Sequence, residues 1–185
     1  MKRFEVTDLG GGVKRLRRMT RGDDRGSLSR LFCAKELAEA GWRKPVAQIN
    51  WVENRVKGIM RGLHYQTAPY GETKILFCMA GTIHDVVVDV RRGSLGFLKP
   101  IAVQLEAEAG DGLLIPAGFA HGYQCLTDAV HLVYLHDALH APGAERGLNV
   151  RDPELNITWP LPIEKQSERD QKHALLDASF AGEAL

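Results

Sequence analysis

Between Val46 and Asp137 the chain repeats one pattern, in which short runs of strand-forming residues are each closed by a glycine or proline turn. The runs are "VAQINWV", "KILFCMAG", "TIHDVVVDV", "KPIAVQLEA", "DGLLIPAGF" and "AVHLVYLHD". Gly81, Gly93, Gly110-Asp111-Gly112 and Pro116 punctuate them at short, even spacing. Many short strands with glycine turns predict an all-β chain, a β-sandwich, jelly roll or small barrel. One helix is expected at "AKELAEAGW" (34–42), with Leu37 and Ala38 on one side and Gly41 as its stop. The tail from Pro162 is polar, then helical at "QKHALLDASF". At 185 residues the whole chain, 1–185, fits one domain with a sizeable core.

Charge and cysteine usage narrow the function class. The formal net charge is +1, which gives no global attraction to nucleic acid or anionic membrane. The early cluster Lys14, Arg15, Arg17, Arg18 and Arg21 reads as a solvated face, or more weakly as a rim for an anion. Cys33, Cys78 and Cys125 are far apart, form no CxxC pair and sit in apolar runs, so they are expected to be small core residues rather than disulfide or zinc partners. Met1-Lys2-Arg3 is not followed by an apolar run and no stretch reaches membrane-span length, which predicts a soluble, cytoplasmic protein.

Three strands carry polar groups that their apolar context does not explain. "GIMRGLHYQ" (58–66) places Arg61, His64 and Gln66 in a run that otherwise reads as buried strand. Burying such groups without partners is unfavourable, so they are satisfied by the fold or face a pocket. In "IHDVVVDV", period two puts Val86, Val88 and Val90 on one face and Asp85, Val87 and Asp89 on the other. Two carboxylates facing a barrel interior would orient something basic, His64 or His121 of "IPAGFAHGY" being the candidates. Gln66 shares His64's side in an extended chain, or satisfies a neighbouring backbone group.

These pieces together resemble one family. "RGLHYQ", Lys74, "DVVVDVRRGS", "LLIPAGFAHGY", Tyr134 and "RDPELNITWP…SERD" follow the order and spacing of the dTDP-4-dehydrorhamnose 3,5-epimerases, from about Gly22 to Asp170. The resemblance implies an all-β, cupin-like jelly roll with a few short peripheral helices. It implies a homodimer that uses no metal or cofactor and acts on nucleotide-linked 4-keto-6-deoxy sugars. A ketone at C4 acidifies the hydrogens on C3 and C5, so inversion needs a base, an acid on the opposite face and a cation near the oxygen. By the resemblance, His64 is the base, Asp170 its orienting carboxylate, Tyr134 the acid, and Lys74 and Arg61 stabilise the enolate. Imidazole suits the first role because it titrates near ~6.5. The further positions matching the substrate-binding pattern are Arg25, Gln48, Asn50, His121, His140, Glu145 and Arg169, the last standing where lysine is usual.

Taken singly, each residue has a plainer reading: His64 a satisfied core histidine, Tyr134 a packing residue, Lys74 and Asp170 surface charges. Their joint match favours an epimerase inverting C3, C5 or both. The alternatives are a single-carbon epimerase on another nucleotide, a non-catalytic sugar-nucleotide-binding cupin, and a metal-dependent cupin. No HxH pair occurs, which leaves convergence of His64, His84 and His121 as the metal route. Departures from the family collect where the nucleotide should lie. Ser27-Leu28 replace aromatics, Arg30 replaces an acid, and Leu139-His140 replace a tyrosine pair. They raise the expectation of a nucleotide other than dTDP.

Overall fold

A computed structural model describes residues 2–184. Among them the strands, in chain order, are β1 (Phe4–Gly10), β2 (Val13–Arg18), β3 (Arg21–Asp23), β4 (Gly26–Leu28), β5 (Gln48–Asn54), β6 (Met60–Gln66) and β7 (Lys74–Ala80). They continue with β8 (Thr82–Asp89), β9 (Pro100–Glu106), β10 (Asp111–Ile115), β11 (Phe119–Cys125), β12 (Val130–His136) and β13 (Glu145–Gly147). Two antiparallel sheets form, in the orders β1-β2-β10-β7-β12-β5 and β13-β6-β11-β8-β9, with β3 and β4 as a separate ribbon. The short glycine-closed runs thus fold as the expected all-β sandwich.

Period two decides which core each strand serves. On β12, Leu132 and Tyr134 enter the layer between the sheets, while Val133 and Leu135 face the opposite side. That second side is covered by helix α1 (Ala34–Ala40), whose Leu37 packs with Trp42, Ile75 and Phe77. The helix stops where expected, at Gly41, in the left-handed region (φ +120°). On β8, Ile83 and Val87 join the inter-sheet core, whereas Val86 and Val88, with Val90 just past the strand, pack outward under Leu148, Leu155, Leu176 and Phe180. Strands buried on both faces explain why "KILFCMA" and "VVVDV" read as nearly continuous apolar runs.

The carboxyl-terminal segment departs from the helical expectation. Only α2 (Glu168–Gln171) is helical there, and residues 172–180 run as irregular chain with turns over the second sheet. Leu176 and Phe180 gain more by packing on Val86 and Val88's cluster than a short isolated helix offers. The Leu176 amide donates to Asp152, which fixes the path. The basic cluster also departs in part. Arg15 and Arg17 pair with the buried Asp111, and Arg18 is itself buried, its guanidinium over Phe77. The three cysteines are free, Cys78 and Cys125 being buried.

Gly112, on β10, makes the closest approach inside the larger sheet. A Cβ there would lie 2.3 Å from Cδ1 of Phe77 and 2.5 Å from the Leu76 carbonyl oxygen. Gly112→Ala is expected to destabilise the fold by about 1–3 kcal/mol through overpacking, read as a lower denaturant midpoint. An unchanged midpoint would show that the sheet relaxes freely at this point.

Candidate active site

One end of the space between the sheets opens into a pocket of about 820 Å³. The larger sheet supplies Gln48 and Asn50 of β5, Lys74 of β7, and Tyr134 and His136 of β12. The smaller sheet supplies Arg61, His64 and Gln66 of β6, His121 and Tyr123 of β11, and Glu145 of β13. Glu72, His140 and the segment carrying Lys165, Arg169 and Asp170 close the rim.

Arg61 and His64 are three residues apart, so a regular strand would send them to opposite faces. The pairing of β6 with β11 shifts between them: His64 faces His121, and Arg61 faces Tyr123, so β6 holds one extra residue. This bulge at Gly62–Leu63 turns both side chains into the pocket. It needs glycine, because a Cβ on Gly62 would lie 2.4 Å from the His121 carbonyl oxygen.

His64 Nε2 lies 2.7 Å from Asp170 Oδ1. Asp170 is brought from far along the chain by α2, where Ser167 Oγ caps the helix by accepting from the Asp170 amide. The Gly62 amide donates to the other Asp170 oxygen. Burial pushes this carboxyl up, but the hydrogen bond and charge of His64 and the Gly62 amide outweigh it and hold it at about 2. With Nε2–H committed to an ionised Asp170, Nδ1 is the imidazole's basic atom. Arg169 Nη2 stands 3.1 Å from the same Nε2. A guanidinium only donates, so its electrostatic partners are the carboxylates of Glu145 (2.9 Å) and Asp170 (3.6 Å).

Across the pocket, Tyr134 is buried with its ring 5.9 Å from that of His121. Burial, with the nearby Tyr123 and Asp85, raises its phenol well above the ordinary value, so it stays a proton donor. Lys74 Nζ is buried and bonds Glu72 Oε1 at 2.7 Å. Arg61 Nε donates to Asn54 Oδ1, which also accepts from Tyr123. His121 is held by Asp85 at 2.8 Å, so of the two carboxylates on the β8 face only Asp85 serves the pocket. Asp89 instead pairs with Arg91 and Ser94. Gln66 satisfies backbone groups, accepting from Ala141 and donating to Tyr70 and Leu139. Gln48 accepts from the His140 amide, and His140 and Arg169 share Glu145.

Arg25 is not brought to this pocket. It is exposed on the β3–β4 ribbon, paired with Asp23. Arg30 likewise bonds Glu36 of α1 rather than facing the pocket. Sequence reasoning missed Glu72 and His136. The available signal was alternation: each stands two residues from a named residue, Lys74 and Tyr134, and so shares its side. His84 packs edge-on against Trp159 on the outward face, away from His64 and His121. Among the described residues one group has metal-binding geometry, His64, Asp170 and His173, with ligand atoms within 4.8 Å. The Arg169 guanidinium beside it opposes a cation there.

The chain matches the family model for dTDP-4-dehydrorhamnose 3,5-epimerase over residues 9–178. The chain belongs to the dTDP-4-dehydrorhamnose 3,5-epimerase family. Its relatives include the dTDP-4-dehydrorhamnose 3,5-epimerase of Shigella flexneri, 38% identical over 80% of this chain and 82% of that one. A dTDP-4-dehydro-6-deoxyglucose 3-epimerase of Streptomyces bikiniensis is also 38% identical, over 80% of this chain and 76% of that one. The crystal structure of a 3,5-epimerase from Legionella pneumophila in complex with dTDP-4-keto-L-rhamnose superposes with a TM-score of 0.89. It is 31% identical and covers 98% of this chain and 99% of its own. The epimerase thus has the cupin-like jelly roll that the resemblance implies.

Proposed function

We propose that the chain, as one domain over 1–185, epimerises a nucleotide-linked 4-keto-6-deoxyhexose at C3, C5 or both. The observation that carries this is the division of labour across the pocket. His64 stands on one sheet, backed by Asp170 of α2, and the Tyr134 phenol and Lys74 ammonium stand on the other. A sugar ring between them has a base on one face and an acid on the opposite face. His64 takes the hydrogen from the carbon next to the ketone, leaving an enolate. Lys74 and Arg61 donate to its oxygen, where positive donors act most strongly in a dry site. Tyr134 then returns a proton to the other face, inverting the carbon. No step calls for a cofactor. Gln48, Asn50, His121, His140, Glu145 and Arg169 serve as binding residues.

The relatives named above include a 3,5-epimerase and a 3-epimerase at the same identity, so likeness alone favours neither outcome. Incubation with a nucleotide-linked 4-keto-6-deoxyhexose, followed by ring-proton couplings in NMR, tests the proposal and counts the inverted centres. Binding of the sugar with unchanged couplings would instead support a non-catalytic sugar-nucleotide-binding protein.

For the nucleotide, the family-matched relatives and the Arg30–Glu36 pair both favour dTDP, leaving His140 and Arg169 as the departures that line the pocket. Calorimetric titration of dTDP, UDP, CDP and GDP is expected to rank dTDP first, with Arg30→Glu leaving its affinity unchanged. A preference for another nucleotide, or a strong response to Arg30→Glu, would contradict this.

The active form is proposed to be a cytoplasmic homodimer. Its support is β5, an edge strand that turns Gln48 and Asn50 inward and leaves Ile49 and Trp51 exposed at 63% and 54%. An apolar edge of this kind invites covering by another chain. The expected solution mass is twice 20.5 kDa, and an active, monodisperse monomer would contradict it. Among the described residues no helix is long and apolar enough to cross a membrane.

A further inference from the structure

Glu72 and His136 are pocket residues to which the proposed reaction gives no part. Glu72 bonds Lys74 Nζ through Oε1 (2.7 Å) and His136 Nδ1 through Oε2 (2.8 Å). The Glu72 and His136 side chains are 11% and 12% exposed. A carboxylate here is unfavourable twice: it leaves water, and it repels the diphosphate of a nucleotide sugar. Burial pushes its carboxyl up, yet the His136 bond and the Lys74 charge hold it at about 2, so it remains an anion. An anion kept in such a place has a structural consequence on both sides. On one, it fixes the Lys74 ammonium through one of three N–H donors, leaving the others for an oxygen. On the other, it orients the His136 ring, which lies nearly parallel to the Tyr134 ring (15°, centroids 5.8 Å apart). His136 and Lys74 are also direct partners across β12 and β7.

We infer that Glu72 and His136 are positioning residues of the epimerisation site, holding the Lys74 ammonium and the Tyr134 ring in one fixed relation so that enolate stabilisation and reprotonation act on a single sugar pose. The inference rests on the catalytic reading of the pocket given above. It predicts that the two residues fail differently. Glu72→Gln keeps the size, removes the charge and frees the ammonium. Exchange of the C3 and C5 hydrogens and inversion fall together, by about 10- to 100-fold in kcat, the scale of a small misplacement. Binding of dTDP is unchanged or tighter, because an anion has left the pocket. Glu72→Asp recovers part of the loss. His136→Leu removes the ring that backs Tyr134, so inversion falls more than exchange.

The experiment measures kcat, KM, hydrogen exchange and dTDP affinity for wild type and these three variants. Side-chain ¹⁵N NMR of His136 is read alongside. In wild type the signal is that of an Nδ1-protonated imidazole, and it shifts in Glu72→Gln. Wild-type kcat in Glu72→Gln, or a fall in kcat matched by an equal loss of dTDP binding, overturns the inference. A His136 signal unaffected by Glu72→Gln also overturns it. A wild-type chain that exchanges no sugar hydrogen overturns the catalytic reading instead.

Discussion

His64→Ala is expected to lower hydrogen exchange at C3 and C5 by ~10²–10⁴-fold, the usual scale for a general base, in a protein that still folds. The fold survives because His64 adds little to any core: its side chain is a quarter exposed and its hydrogen-bond partner is Asp170. Asp170 keeps the Gly62 amide after the change, so the carboxylate is not left unpaired. It does lose the imidazole that chiefly counters its burial, and its carboxyl rises from about 2. Dichroism and a thermal melt check the fold, and deuterium uptake into the sugar checks the chemistry. Near-normal exchange in the folded variant would remove His64 from the reaction.

Tyr134→Phe separates the two halves of the inversion. The ring contacts with His121 and His136 are kept, and only the hydroxyl is lost. With His64, Lys74 and Arg61 in place, the hydrogen still comes off and can return to the face it left. Exchange therefore persists while inversion falls by ~10²-fold or more, the scale of a lost general acid. Product couplings in NMR read the inversion and mass spectrometry reads the exchange, on the same sample. Unimpaired inversion would make Tyr134 a packing residue.

The same residues show how far a sequence can be read. Alternation along β8 placed Asp85 on the side that meets His121, since the period of a strand is a local property. The glycine after an apolar helix placed the end of α1 for the same reason. What could not be read depends on partners remote in sequence. The extra residue in β6 is visible only against the register of β11, and it alone explains how Arg61 and His64 share a pocket. The pairing of His121 with Asp85, and of Glu72 with both Lys74 and His136, joins strands through space. The segment 172–180 has helix-forming residues, but the apolar outer face of β8 offers Leu176 and Phe180 a better place. Ile49 and Trp51 are apolar yet exposed, because an edge strand's outer face has no neighbour within this chain. The family motif identified His64, Lys74, Tyr134 and Asp170 together, and the pocket holds all four.

The central claim is proton abstraction next to a ketone and return of a proton from a residue that exchanges with water. It is tested most directly by running the wild-type reaction in deuterated water with a nucleotide-linked 4-keto-6-deoxyhexose. Deuterium is expected at each inverted carbon, C3, C5 or both, and at no other ring carbon. Inverted product that carries no solvent deuterium would contradict the account.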